Sequence, residues 1–353
     1  MKPLAVTAAV VVFCAFVAPA AVADPAVTGY PSSIASTGDS ITRAFNTCSF
    51  PFIDCPANSW STGTSSTVNS HYRRTLAANP AVYGHNYNDA KTGAKMIGLQ
   101  AQVQAAVSQR AEYVTVLMGA NDVCTSSEST MTPVDTLRSQ LRTALATLAS
   151  GLPSSRVYVV SIPDVYHLWE ILHTNLSAVL TWTLGGICQS LLVNPMSTSS
   201  ADAARRLRVR QRAIDDNSAI AGVCAEFIHC RYDGGAAFAL QFTPSDVSTR
   251  DYFHPSVAGQ AKAASVTWAA GFDFTDAVAP TTTSGTAPDP AGGTDVTLSA
   301  TDNIAVSGIE YRLGAATAWT RYTGPVTVPS GSGITFRAVD VNGNVEATQT
   351  LPL

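Results

Sequence analysis

Tyr113-Val114-Thr115-Val116-Leu117-Met118, followed at once by Gly119-Ala120-Asn121-Asp122, decides the fold class of this 353-residue chain. The run is apolar and β-branched with almost no polar alternation, the pattern of a strand buried on both faces of a parallel sheet. Val157-Tyr158-Val159-Val160-Ser161-Ile162 repeats it, and Ser33 to Thr37 is a weaker version. Between these runs lie helical patterns. Val134, Leu137, Leu141, Leu145 and Leu148 recur at spacings of three and four behind Pro133, which places them on one helix face. Further helices are predicted from Met96 to Gln109 and from Ala201 to about Ala221. Strands alternating with helices build β-α-β units, so residues 24–277 are expected to form a three-layer α/β/α domain.

Outward from this core, both ends of the chain read differently. Residues 1–23 hold Lys2, an uncharged apolar run from Leu4 to Val17, and Ala21-Val22-Ala23, the small-x-small pattern that a signal peptidase accepts. The run falls short of the roughly 20 apolar residues that span a bilayer. It is therefore expected to be a cleaved export signal, with no stable membrane span and a secreted mature chain beginning near Asp24. Residues 278–293 have almost nothing to bury and are expected to be a linker or an extended lead-in strand. Residues 294–353 alternate as short strands, with Ile334-Thr335-Phe336-Arg337-Ala338-Val339 ahead of Asn342-Gly343, a strong hairpin signal. A small all-β sandwich is expected there. Through Trp319, Tyr322-Thr323-Gly324-Pro325 and Arg337-Ala338-Val339-Asp340 with Asn342-Gly343-Asn344, it resembles the immunoglobulin-like modules appended to bacterial exported hydrolases. The resemblance implies a polysaccharide or cell-surface partner for this module.

With Lys2 gone, 20 basic residues face 25 acidic ones, and no basic patch or arginine-rich run appears. A nucleic-acid partner would want the opposite balance and is not expected. Once Cys14 leaves with the signal, six cysteines remain, an even number that reads as disulfides in an exported chain. Proximity favours Cys48 with Cys55 and Cys224 with Cys230, leaving Cys124 with Cys188. No C-x-x-C pair and no H-E-x-x-H occurs, so no metal centre is expected. His71, His85, His167, His173 and His229 have no partners at ligand spacing and read as packed or surface residues. Asp340-Val341-Asn342-Gly343-Asn344 faintly suggests an oxygen-ligand calcium loop, but a hairpin turn explains it better. Leu176 to Val193 contains no charged residue. It reads as a buried helix or an insertion packed under a disulfide, with an apolar flap that meets lipid or an acyl chain as the alternative.

Four segments carry candidate chemistry. Ser40, in Gly38-Asp39-Ser40-Ile41, sits where a strand hands over to a helix, with a glycine that permits a tight turn. A serine hydroxyl is a poor nucleophile without a base, an acid to orient that base, and donors for the developing oxyanion. His254, in Asp251-Tyr252-Phe253-His254-Pro255, follows Asp251 by three residues, so the carboxylate can accept the Nδ1 proton and leave Nε2 for Ser40. Asn121 stands just beyond an apolar strand, at the sheet edge where open α/β folds bind ligands. Gly93, in Thr92-Gly93-Ala94, lends a backbone N–H that a substrate can approach. With the Ser40 N–H, Gly93 and Asn121 make three candidate oxyanion donors.

In this order, Ser40, Gly93, Asn121, then Asp251 with His254, the chain resembles the SGNH hydrolases, also called the GDSL lipase and esterase family, over roughly residues 30–270. Ile41 stands where the family name has leucine, a conservative packing change. The resemblance implies a five-stranded parallel sheet between helices, Ser40 as nucleophile, His254 as base and Asp251 as its orienting acid. Gly119-Ala120-Asn121-Asp122-Val123-Cys124 and Asp251-Tyr252-Phe253-His254-Pro255-Ser256 look most like the phospholipase B-like and secreted lipase branches. Asp122 is expected to hold the asparagine loop. The expected activity is hydrolysis of carboxylic esters of lipid or phospholipid through an acyl-enzyme, without metal or organic cofactor. A carbohydrate acetyl esterase is the alternative within the same chemistry. An exported adhesin with a silent α/β domain is the alternative of another class, and the complete motif set speaks against it.

Overall fold

The computed structural model describes Asp24 and residues 27–353, so the export signal expected over residues 1–23 lies outside it. Five parallel strands form the first sheet: β1 (Ile34–Gly38), β2 (Asn86–Asn88), β3 (Tyr113–Leu117), β4 (Arg156–Val160) and β5 (Cys230–Tyr232), in spatial order β2-β1-β3-β4-β5. The three central strands are buried at every position, as their unbroken apolar character requires. Side chains alternate between two cores. Val114, Val116, Val157 and Val159 pack with Leu99, Val103, Leu137, Leu141 and Ile220 on one face. Tyr113, Leu117, Tyr158 and Val160 pack with Trp60, Tyr72, Ala264, Phe272 and Phe274 on the other.

The helices are α1 (His71–Ala78), α2 (Leu99–Gln109), α3 (Ala120–Val123), α4 (Val134–Gly151), α5 (Val165–Leu172), α6 (Leu176–Gly185), α7 (Gln189–Leu192), α8 (Ser200–Cys224) and α9 (Val257–Ala270). The leucine stripe behind Pro133 is the buried face of α4, with Leu137, Leu141, Leu145 and Leu148 all inside. In the uncharged stretch after Leu176 the structure divides the two expectations. Ala178 and Trp182 of α6 are buried in a third core, with Leu191 and Leu192, whereas Leu176, Leu180 and Leu184 face outward. Among the described residues, no helix is long and apolar enough to cross a membrane.

Two antiparallel sheets form the C-terminal all-β part. One holds β6 (Thr281–Pro288), β7 (Thr294–Thr301) and β10 (Val326–Val328). The other holds β8 (Val306–Leu313), β9 (Thr320–Arg321), β11 (Gly333–Asp340) and β12 (Gln349–Pro352). Val296, Leu298, Ile309, Val328, Ile334 and Phe336 fill the space between them. The stretch 278–293 is therefore not a free linker: half of it is β6, paired along its length with β7. Its threonines and small residues hydrogen-bond as an edge strand and need little burial of their own.

A buried arginine seals the two parts. Arg156 of β4 donates from Nε to the Asn342 carbonyl and from Nη2 to Asn344 Oδ1, both at 2.8 Å, and its guanidinium lies 5.2 Å from the Phe274 ring centroid. Asn342-Gly343 turns here, with the Asp340 carboxylate accepting from the Asn342 and Asn344 N–H groups at 2.8 and 2.7 Å. Carboxylate oxygens of Asp276, Asp302 and Asp340 converge within 4.8 Å of one another at the same seam. The disulfides join Cys48 to Cys55, Cys124 to Cys188 and Cys224 to Cys230.

One buried acid makes the fold sensitive to pH. Asp216 of α8 is fully buried, and neither carboxyl oxygen has a hydrogen-bond partner among the described residues. Burial pushes its pKa up to about 7 against the pull of Arg212. The folded chain keeps this group protonated where an unfolded carboxyl has already ionised. Its cost to stability therefore grows as pH rises from about 4 to about 7 and levels off above. Asp216→Asn cannot ionise. Between about pH 5 and about pH 8 it is expected to lose less stability than the parent, by a margin on the order of 3 kcal/mol in chemical denaturation.

Candidate active site

β1 ends at Gly38 in a conformation that glycine alone fits. Its φ is +148°, and a Cβ there would come within 2.4 Å of the Leu117 carbonyl oxygen on β3. Gln102 of α2 clamps the same residue, accepting from the Gly38 N–H at 2.7 Å and donating to its carbonyl at 2.9 Å. Ser40 leaves the sheet from this fixed point. The segment beyond it is not the helix expected from sequence but a pair of tight turns, because Ala44 and Asn46 adopt left-handed φ values of 50° and 66°. Asp39 is fully buried, with one oxygen accepting from the Ile41 N–H at 2.9 Å. Burial pushes its carboxyl up to about 6.

Some two hundred residues later the chain returns with the imidazole. Asp251 Oδ1 accepts from the backbone N–H groups of Phe253 and His254, both at 3.0 Å, which shapes the turn. Ser256 then caps α9 by accepting from the Gly259 N–H at 3.2 Å. Gln260 in the first turns of α9 ties it to the serine segment, donating to the Ile41 carbonyl at 2.7 Å and accepting from the Trp60 N–H at 2.9 Å. These bonds bring His254 Nε2 to 2.7 Å from Ser40 Oγ, while Nδ1 lies 2.6 Å from Asp251 Oδ2. An ionised carboxylate can only accept, so the ring proton sits on Nδ1 and Nε2 is left to accept from the Ser40 hydroxyl. Burial by itself would raise the Asp251 carboxyl. The hydrogen bond and charge of His254 and the two backbone donors outweigh it and hold the group below the usual carboxylate range.

Asn121 lies two residues past Gly119, whose φ is +124° and where a Cβ would come within 2.5 Å of Ile162 Cδ1. Beneath it Asp122 accepts from the Met96 N–H at 2.8 Å and from Thr132 Oγ1 at 2.7 Å, pinning the loop as the sequence reading expected. Asn121 Nδ2 donates to the Ala94 carbonyl at 2.9 Å, which turns the amide toward the cleft that Ser40, Gly93 and His254 also line. Gly93 has φ +78° and nothing within 4 Å of where a Cβ would stand, so its exposed backbone borders open space. Among the described residues, neither the Ser40 nor the Gly93 N–H donates to a protein acceptor. All five candidate residues thus gather at one mouth, at the carboxyl ends of β1 and β3, where the strand order reverses.

Two spaces open from it. A narrow apolar cavity of about 80 Å³ runs behind Ser40 between Leu117, Ala120, Val165, Leu168, Ala237 and Leu240. A wide, open cleft of about 600 Å³ lies in front, walled by Phe45, Phe52, Gly93, Leu184, Ile187 and Phe253.

One participant was not legible in the sequence. Asn46 is buried, and its Nδ2 donates at 2.5 Å to Asp251 Oδ2, the oxygen that also takes His254 Nδ1. Its own Oδ1 accepts from the Phe52 N–H at 2.6 Å. The available signal was an asparagine close to a short cysteine loop, a residue type that tolerates left-handed backbone, but nothing local reports a partner 205 positions away. Asn46→Ala is expected to lower kcat for a soluble ester about tenfold with little change in KM, since one charge-assisted hydrogen bond to the acid is lost. Steady-state kinetics of the purified variant check this.

A family model described as GDSL-like Lipase/Acylhydrolase family matches residues 37–262, well over half of the chain. Among solved structures, a protein assigned as a GDSL-like lipase from Parabacteroides merdae is 16% identical. That match covers 70% of this chain and 98% of the other, with a TM-score of 0.46. A variant of an acetyl-xylooligosaccharide esterase from Geobacillus is also 16% identical, over 70% of this chain and 96% of the other, with a TM-score of 0.42. No curated protein sequence matches the chain. On the family match, over the residues that build this mouth, the chain belongs to the GDSL-like lipase/acylhydrolase family and is a carboxylic ester hydrolase.

Proposed function

We propose that the chain is a secreted serine esterase or lipase that hydrolyses acyl esters of lipids or phospholipids through an acyl-enzyme on Ser40. The observation that carries this reading is the unbroken relay from Ser40 Oγ to His254 Nε2 at 2.7 Å and from His254 Nδ1 to Asp251 Oδ2 at 2.6 Å. In the first half-reaction the Ser40 oxygen attacks the ester carbonyl while its proton passes to Nε2. The carbonyl electrons collect on an oxyanion that the N–H groups of Ser40 and Gly93 and the Asn121 amide would face. Collapse of this intermediate breaks the bond to the alcohol, which takes the proton from Nε2. Water then attacks the acyl-Ser40 carbonyl with His254 as base again, releasing the acid and restoring the hydroxyl. Asp251 keeps the ring oriented and compensates the imidazolium without itself taking the proton.

Export is supported by the leader-like residues 1–23 and by three disulfides. We read 24–277 as the hydrolase domain and 294–353 as an immunoglobulin-like module with a polysaccharide or cell-surface ligand. A second reading, an acetyl esterase acting on carbohydrate, is favoured by one feature: a cavity of about 80 Å³ behind Ser40 suits a short acyl group.

Ser40→Ala is expected to lower hydrolysis of a p-nitrophenyl ester at least a thousandfold, on the order seen for serine-triad knockouts, and to abolish labelling by a fluorophosphonate. Parental turnover by a folded Ser40→Ala chain overturns the assignment. Asn121→Ala is expected to cost about a hundredfold in kcat. A graded panel separates the substrate readings: preference for long acyl chains or phospholipid supports the first, and acetate release from acetylated xylan supports the second.

A further inference from the structure

Two exposed apolar lips flank the open cleft. The first is the loop closed by the Cys48–Cys55 disulfide, carrying Phe50, Phe52 and Ile53. The second is α6, carrying Leu176, Leu180 and Leu184. All six are more than half exposed except Ile53, at 43%. Spacing by four residues puts the leucines on one helix face, opposite the buried Ala178 and Trp182. Phe52 and Leu184 border the same cleft as Ser40 and His254, so both lips reach its rim. Six exposed large apolar side chains gathered at the rim of one cleft mark a contact with something apolar.

The lips are held outward. Cys48–Cys55 closes the first, and Cys124–Cys188 ties the segment after α6 to the Asn121 loop. Phe52 has a left-handed φ of 59°, an outlier for a bulky residue, with its N–H fixed by Asn46 Oδ1 at 2.6 Å. Charges near the lips are paired or absent, the Asp54 carboxylate beside Ile53 being held by Arg43 at 2.9 Å. Residues 176–193 carry no charge, and the Arg250 guanidinium at the base of the first lip is engaged by the Ser49 and Phe50 carbonyls at 2.9 and 2.8 Å.

What covers the lips is constrained by the mouth between them. A protein, or a second copy of the chain, seated across both would stop the cleft above Ser40. A lipid–water surface would bury the same side chains and present its esters to the open mouth. We propose that the lips are the seat of such a surface, on which the chain docks with the Ser40 cleft facing the lipid. The inference rests on the reading of that cleft as the ester-hydrolysing site.

Sedimentation with vesicles of a dialkyl-ether phosphatidylcholine, which has no acyl ester, measures docking without turnover. The parent chain is expected to sediment with the vesicles. A triple variant, Phe50→Ser, Leu176→Ser and Leu180→Ser, changes side chains that do not line the cleft. It is expected to bind at least about tenfold more weakly, since burial of even one large apolar side chain exceeds that factor. Its kcat/KM for a soluble short-chain ester should stay at the parental value. A parent that does not bind, or a triple variant that binds as tightly, overturns the proposal. So does a parent dimer in solution that the same substitutions dissociate, with no vesicle binding by either. If vesicle binding falls as expected while Ser40→Ala still hydrolyses the soluble ester, docking stands and the assignment of Ser40 fails separately.

Discussion

The site depends on a buried carboxylate that is fully supplied with donors. Asp251 is buried, and an isolated charge there would sooner take up a proton than remain ionised. Four N–H groups prevent that: the His254 ring, the Asn46 amide and the backbone of Phe253 and His254. Because the carboxylate stays charged, it accepts a hydrogen bond from Nδ1–H and leaves the other ring nitrogen free to accept from the Ser40 hydroxyl. The same four bonds fold the turn that carries His254 and hold the Asn46 loop against it. Geometry and protonation state therefore have a single cause.

Asp39 and Asp216 show what the same residue type does without such support. Asp39 has one backbone donor and an oxygen without a partner, and its pKa is pushed up to about 6. Asp216 has no partner on either oxygen and rises to about 7. All three are buried, and Asp251 differs in the donors aimed at it, above all the hydrogen bond and charge of His254. Ester chemistry of the kind proposed needs an acid that stays ionised beside the base, and this chain places a buried carboxylate with four donors there.

The sheet brings the parts of the mouth together, and glycines set the spacing. β1 and β3 are direct neighbours, so residues just past their carboxyl ends, Ser40 and Asn121, share a rim. Gly38 and Gly119 allow the chain to leave each strand in directions that a side chain would block. The C-terminal sheets take no part in this rim. They join the hydrolase domain at the seam around Arg156, whose donors satisfy carbonyl and amide oxygens of the Asn342–Asn344 turn.

Much of this was written locally. Period-two and helical patterns, with strands apolar on both faces, specify a three-layer α/β domain followed by an all-β part. Ser40 after a glycine, Asn121 after a strand, and Asp251 three residues before His254 are short-range arrangements that sequence spacing expresses. The edge strands β2 and β5, each three residues long, were not legible because so short a run has no period to read. Nor was the sidedness of α6, which is uncharged all round, so its composition could not say which leucines would be left outside. The bonds from Asn46 to Asp251 and from Gln260 to Ile41 join residues more than two hundred positions apart. Sequence determined which residue types and local turns were available. Only tertiary packing decided which of them met, because a hydrogen bond across such a separation is set by how helices and loops seat on the sheet.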